Sequence, residues 1–220
     1  MRAAWWFLML VIPGMIATSC ANKNAEAAKP EVVEADSFDL DAFLLKTFTD
    51  SLASAQGFDT FDVAIQSPEI PTPFYANRSF KEVTVHCIWT DCLIELSPAI
   101  GGMTQLESLC FYKTSLKTLP AEIGQLRRLK VLRVAWGVCL ESLPEEIGLL
   151  DSLEILDLYR NKLTKLPESI GQLKNLKQLG LGDNSLNDEE KARIRKLLPN
   201  CTIHFHEPLP YHQDIAKKKQ

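Results

Sequence analysis

What this sequence has little of narrows its class first. Cysteine is sparse, six in 220 residues. That is far below the roughly 8–10% that marks a small disulfide-built scaffold. Long apolar runs are missing as well. The uncharged stretch from Ala3 to Ile16 is shorter than the roughly 20 residues a membrane-spanning helix needs, which excludes a polytopic membrane protein. There is no excess of positive charge: 28 Asp and Glu outnumber 24 Lys and Arg, for a net charge of −4. Nucleic-acid partners favour basic surfaces, so none is expected. No CxxC pair, zinc-spaced His/Cys cluster, nucleophile elbow, phosphate-binding loop or paired-carboxylate motif occurs. No catalytic residue, metal site or cofactor is therefore assigned, and the chain reads as a non-enzyme. What remains, 46% hydrophobic and 24% charged residues, is the balance of a folded globular protein.

The N-terminus reads as an address. Arg2 precedes the uncharged stretch, Pro13 and Gly14 lie near its end, and Ala17, Thr18 and Ser19 are small. This is the layout of a secretory signal peptide over residues 1–19. Cys20 follows the small residues directly. The arrangement resembles the lipobox of bacterial lipoproteins, with Ala17 where that motif more often has Leu. The resemblance implies that Cys20 is lipidated and becomes the new N-terminus. Ordinary cleavage near Ser19 and an uncut anchor are the alternatives. Residues 20–36 are rich in Ala, Glu and Lys with one proline and no aromatic residue, and read as a flexible tether. Ala21 after the cysteine is not the Asp of an inner-membrane retention signal. The expected location is thus exported and membrane-anchored, at the outer membrane or cell surface.

The rest of the chain repeats itself. LSPAIGGMTQLESLCFYKTSL begins at Leu96, LPAEIGQLRRLKVLRV at Leu119, LPEEIGLLDSLEILDLYRNKL at Leu143 and LPESIGQLKNLKQLGLGDNSL at Leu166. Apolar residues recur in fixed columns, such as Ile100, Ile123, Ile147 and Ile170, or Leu109, Leu132, Leu156 and Leu179. This pattern resembles the leucine-rich-repeat family in its LPxxIGxLxxLxxLxLxxNxL form. The implied fold class is α/β: a leucine-rich-repeat solenoid, a short horseshoe arc with parallel strands on its concave face. No single repeat can bury its own apolar edge, so stacking is obligatory. Strand alternation turns Leu156 and Leu158 inward and Ile155, Asp157 and Tyr159 outward. Asn161 and Asn184 stand where the family uses an amide to bond the backbone of the following turn.

The repeat domain is placed at residues 83–207, with a tail at 208–220. Matching Trp89 to Trp136 and Cys92 to Cys139 makes Val85 and Cys87 the inward pair of a degenerate first repeat. That alignment puts His86 in one column with Cys110, Arg133, Asp157, Gly180 and His204. Residues 37–82 are expected to form an N-terminal helical cap, from apolar spacing over Leu40–Ala55 followed by a proline-interrupted stretch. A helix capped by Asp188 and ending near Pro199, then a strand over Cys201–Phe205, forms the C-terminal helix–strand cap. About six strands result. An exported protein can also oxidise a pair such as Cys87 and Cys92.

Function is read from the outward columns. Tyr112, Arg133, Trp136, Ile155, Asp157, Tyr159 and His204 form the candidate ligand-binding face, since exposed Trp, Tyr and Arg are the residues interface hot spots are made from. The expected partner is a protein or peptide, with the membrane engaged only through Cys20 and the chain acting as a monomer. A cell-envelope scaffold without a discrete ligand site is the alternative.

Overall fold

The computed structural model describes residues 15–16, 59–65, 69–70, 72–87 and 93–209. Its frame is a single sheet. Strands β1 (Met15–Ile16), β2 (Thr60–Ile65), β3 (Glu82–Cys87), β4 (Ser108–Tyr112), β5 (Val131–Ala135), β6 (Ile155–Asp157), β7 (Gln178–Gly180) and β8 (Thr202–His204) lie in chain order. From β2 to β8 every neighbouring pair is parallel, while β1 pairs antiparallel with Ile65 and Ala64. Parallel strands in strict sequence order, each returned by one loop, are what a repeated turn of about 23 residues produces.

Each turn closes through a 3₁₀ segment on the convex side: Pro98–Gly102, Ala121–Gln125, Glu145–Leu149 and Glu168–Gln172. The Leu-Pro step sets this up. Proline fixes an extended φ at the cap, and its carbonyl accepts the N–H of the isoleucine three residues on, as from Ile147 to Pro144 at 3.1 Å. The isoleucines at 100, 123, 147 and 170 are fully buried. The glycine after the isoleucine answers to spacing in the first three turns, at Gly101, Gly124 and Gly148. A Cβ on Gly148 would lie 2.5 Å from the Ser169 carbonyl oxygen, so the next segment can stack this closely only because no side chain intervenes.

Inside the arc, Leu109, Leu132, Leu156 and Leu179 stack with no exposure, flanked by Phe111, Val134, Leu158 and Leu181. The expected amide ladder is formed. Asn161 Nδ2 donates to the carbonyls of Val134 (2.7 Å) and Leu158 (3.0 Å), and its Oδ1 accepts the N–H of Leu140. Asn184 repeats this against Leu158, Leu181 and Leu163 one turn on. These bonds satisfy backbone groups that would otherwise be buried unpaired. Thr114 stands at the equivalent earlier position. It is 1% exposed, and its Oγ1 has no partner among the described residues.

Four sequence expectations need correction. Residues 60–65 are a strand, not part of a helical cap, so seven parallel strands replace six. Only a single-turn helix, α1 (Pro73–Ala76), follows it, placing Phe74 against Phe61 and Phe80. The helix expected over Leu40–Ala55 lies outside the described residues. The register of β3 is two residues from the expected one: Val83 pairs with Leu109, Val85 with Phe111, Thr84 with Cys110 and His86 with Tyr112. A two-residue slip preserves which side chains face inward, and Val83, Val85 and Cys87 are all buried, so the alternation could not distinguish the two. His86 therefore shares no column with Cys110 or His204. Finally, Asn187 rather than Asp188 caps helix α2 (Asp188–Leu197), its side chain accepting the N–H of Glu190 at 2.8 Å.

One feature of the strand starts was not anticipated. Asp59, Lys81, Glu107, Lys130, Glu154 and Lys177 occupy the position before strands β2 to β7, and each backbone N–H from Lys81 onward bonds the carbonyl of the one before. Their charges alternate. Lys81 meets Asp59 at 2.8 Å, Lys130 meets Glu107 at 2.6 Å and Lys177 meets Glu154 at 2.6 Å.

The C-terminal cap is anchored by a buried ion pair. Glu190 accepts from Arg193 at 2.6 and 2.7 Å and from the Leu166 N–H at 2.8 Å, and Arg193 donates in turn to the Leu166 carbonyl. The Arg193 hydrogen bond, opposed by burial, holds the Glu190 carboxyl below its ordinary 4.5. A depressed carboxyl contributes stability that is complete above the unfolded value and lost as pH falls through the folded one. Acid below about pH 4.5 is thus expected to loosen α2 from the last repeat. Hydrogen exchange of the α2 amides against pH measures this, and Glu190→Gln should flatten the profile.

Candidate functional site

The outward side of β4–β6 brings five of the seven sequence-nominated side chains together. In one column lie Thr84, Cys110, Arg133, Asp157, Gly180 and His204. Alongside, His86, Tyr112 and Ala135 pair across strands, and Tyr159 follows the end of β6. Cys110, Tyr112, Ala135 and Tyr159 form a second apolar cluster, separate from the core, with Val131 and Trp136 packed on it. His86 stacks on Tyr112 at 5.1 Å and 16°, and Trp136 meets Tyr159 edge-on at 5.2 Å.

The rim above this cluster follows from backbone conformation. Lys113, Trp136, Arg160 and Asp183 all have left-handed φ values of 54–64° at the residue that leaves the strand. None is a glycine, and such a φ is uncommon for other residues. The repeated turn lines up Trp136, Arg160 and Asp183 along the strand ends. The Arg160 guanidinium lies 4.9 Å from the Trp136 ring centroid, and its Nε lies 3.8 Å from the Asp183 carboxylate.

Outward, however, does not mean wet. Tyr112 and Tyr159 are each less than 10% exposed, and Asp157, expected to be solvated, is fully buried. The Asp157 carboxylate accepts the N–H of Tyr159 at 3.2 Å and sits beside Arg133 in the column. Burial opposes the Arg133 charge, but Cys110, Tyr112 and Asp157 around it raise its pKa above the ordinary guanidinium value. Burial, then the neighbouring Asp183 carboxylate, likewise pushes the Tyr159 hydroxyl above its ordinary 10.0. The solvent-facing part of the patch consists of Arg160, part of His86, part of Trp136, part of Arg133, and half-buried Val131 and Ile155. Ile155 sits at the opposite end of β6 from Tyr159, next to Val131.

His204 is not brought to the patch. It pairs with Gly180 on β8, and Gly180 leaves a gap in the column. Asp157 Oδ1 leans into that gap, 2.6 Å from where a Cβ on Gly180 would stand, and Leu209 joins it, 1% exposed and with its Cγ 3.1 Å from the same point. Sequence reasoning missed Leu209 altogether, because a residue beyond the last repeat has no column to betray it. Among the described residues no group of three or more His, Cys, Asp or Glu is arranged to hold a metal ion. Two shallow, open depressions among the described residues lie elsewhere, one of about 290 Å³ between Ala121–Gln125 and Glu146–Leu149, the other of about 550 Å³ beside α2.

Comparison with known proteins places these features. The Leucine Rich Repeat family model matches residues 152–173. No curated protein sequence matches. The leucine-rich repeat domain of the type III effector XopL is 27% identical with a TM-score of 0.57, over 64% of this chain and 50% of that one. The Leptospira interrogans LRR protein LIC12759 is 32% identical with a TM-score of 0.44, over 62% of this chain and 40% of that one. The plant peptide hormone receptor RGFR1, in complex with RGF2, is 28% identical with a TM-score of 0.48, over 64% of this chain and 23% of that one. The chain thus spans half or less of the length of each of these three. The repeat columns, the parallel sheet and the XopL likeness together make this protein an α/β leucine-rich-repeat solenoid arc.

Proposed function

We propose that this chain is an exported, non-catalytic lipoprotein that captures an extended peptide or protein segment on the concave side of β4–β6. The fold is one that generally serves protein–protein interaction rather than catalysis. The observation that carries the reading is the contiguous set His86, Tyr112, Arg133, Trp136, Tyr159 and Arg160, carried on the strands and the residues just beyond their ends, with ring and guanidinium contacts joining His86 to Tyr112 and Trp136 to both Tyr159 and Arg160. Side chains already ordered before binding lose little further entropy when a partner arrives. Capture by an immobilised chain should fall sharply with Tyr112→Ala, Arg133→Ala and Tyr159→Ala combined, and unchanged capture would remove this face from consideration. The burial of Tyr112, Asp157 and Tyr159 favours the second reading, an envelope scaffold whose concave cluster serves the fold itself. That reading expects the triple variant to lose stability without losing any partner.

Export is supported by redox chemistry. Cys87 is disulfide-bonded, whereas Cys110, Cys139 and Cys201 are free. Disulfides persist in oxidising compartments and are rare in the cytosol. Cys20 lies outside the described residues, and no helix among the described residues is long and apolar enough to cross a membrane. The lipoprotein reading puts the anchor on an acylated Cys20, and stable anchoring needs more than one acyl chain. Intact mass of the membrane-bound form should show a chain beginning at Cys20 with a lipid adduct, and Cys20→Ala should release the domain or retain the leader. An unmodified mature mass would leave plain secretion.

A further inference from the structure

We propose that the C-terminal segment from His206 to Gln220 is a tethered occupant of the concave face, seated through Leu209 and continuing toward the aromatic cluster. After β8 the chain turns back over the sheet instead of leaving it. The His206 carbonyl oxygen lies 3.0 Å from where a Cβ on Gly182 would stand, and Leu209 Cγ lies 3.1 Å from the corresponding point on Gly180. Both glycines face outward, on β7 and just beyond it, so the segment runs along the concave side of that strand. The site is built to receive it. Gly180 and Gly182 are the two outward positions of this repeat, where the previous repeat carries Asp157 and Tyr159. Their missing side chains leave room that Asp157 Oδ1 and the Tyr159 ring lean into, and the returning chain closes on the same two points with Leu209 at Gly180 and the His206 carbonyl at Gly182. Leu209 is buried without belonging to the main core.

The segment's sequence suits the task. Leu209 stands between Pro208 and Pro210. A proline on its C-terminal side restricts Leu209 to extended backbone, and the two prolines lower the entropy lost on docking. Beyond Leu209 the chain continues for residues 210–220, Pro-Tyr-His-Gln-Asp-Ile-Ala-Lys-Lys-Lys-Gln. Extended at about 3.3 Å per residue they reach roughly 36 Å. Crossing from β7 to β4 takes three strand spacings, about 14 Å. The tail thus has the length to cover Asp157, Arg133 and Tyr112 in turn. Any outside ligand for this face would first have to displace it.

A short tether holds its end at an effective concentration of about millimolar, so a free copy of the tail with a dissociation constant near 0.1 mM should bind the intact chain about tenfold more weakly than a chain whose own tail is dislodged. The probe is a fluorescein-labelled peptide of residues 205–220, followed by anisotropy against the full-length chain and its Leu209→Asp variant. The variant should bind the peptide about tenfold more tightly than wild type, and a Leu209→Asp peptide should bind neither. If Leu209→Asp fails to unfold cooperatively, Leu209→Ala replaces it and should show a smaller gain in the same direction. Equal binding to wild type and variant, or none to a folded variant, overturns the proposal. So does a wild-type dimer that dissociates on Leu209→Asp, since the tail would then occupy a second copy. The probe is the chain's own peptide, so the result is independent of any outside ligand: a face that takes this peptide but no foreign one keeps this inference and removes the previous one.

Discussion

Leu156→Ala should lower unfolding stability by about 2–5 kcal/mol. Leu156 is fully buried between Leu132 and Leu179, its strand neighbours on β5 and β7. Truncation leaves a void walled by repeats on both sides, and neither can close in without disturbing the backbone ladder that joins it to the next. Against a typical total of roughly 5–15 kcal/mol, this is a large share. Denaturant melts measure it directly. The neighbouring Asp157→Ala was expected from strand alternation to be nearly silent. The structure assigns it a cost of about 1–3 kcal/mol, because it strips the acceptor from the buried Tyr159 N–H and a nearby negative charge from Arg133. A change within about 0.5 kcal/mol for Asp157→Ala would mean that this carboxylate is solvated after all.

The second large effect is expected on the opposite side of the arc. A Cβ added by Gly148→Ala would meet the Ser169 carbonyl oxygen at 2.5 Å and the Ser169 Cβ at 2.6 Å. Neither is the far end of a flexible side chain, so the two 3₁₀ segments must separate. Overpacking of this kind costs about 1–3 kcal/mol, and here it also works against every repeat beyond Gly148. Gly171→Ala is the control. Its nearest neighbours are Leu197 side-chain atoms at 3.3 and 3.5 Å, which can give way, so a melt should show a much smaller loss. Equal losses at both glycines would point to backbone flexibility rather than crowding.

The legible part of this molecule was the part that repeats. Strands β4–β8, the isoleucine and leucine columns and the Asn161–Asn184 ladder all follow from spacing, because a column read four times constrains itself. What was hidden had no second copy. The alternation of Phe61, Val63 and Ile65 in β2 stands alone among prolines. The register of β3 was ambiguous because three inward residues satisfy either pairing. Five of the seven nominated side chains share one face, but that face is drier than alternation implied. Alternation states the direction of a side chain, whereas exposure depends on what lies over it. Tyr112 and Tyr159 lie on their neighbours across adjacent strands, and Asp157 leans over the bare Gly180 of the next turn, where Leu209 from beyond the last repeat also reaches. Those are contacts between distant positions, and local patterns carry no record of them.

The alternating charges that precede the strands impose an even-numbered arithmetic on the solenoid. Excising the turn that carries Lys130 would bring Glu107 opposite Glu154 and set two carboxylates side by side at a spacing now bridged by an ammonium group. Excising that turn together with the next would instead bring Glu107 opposite Lys177 and restore the opposition of sign. Removal of two turns thus keeps the opposition of sign along the strand starts, and removal of one does not.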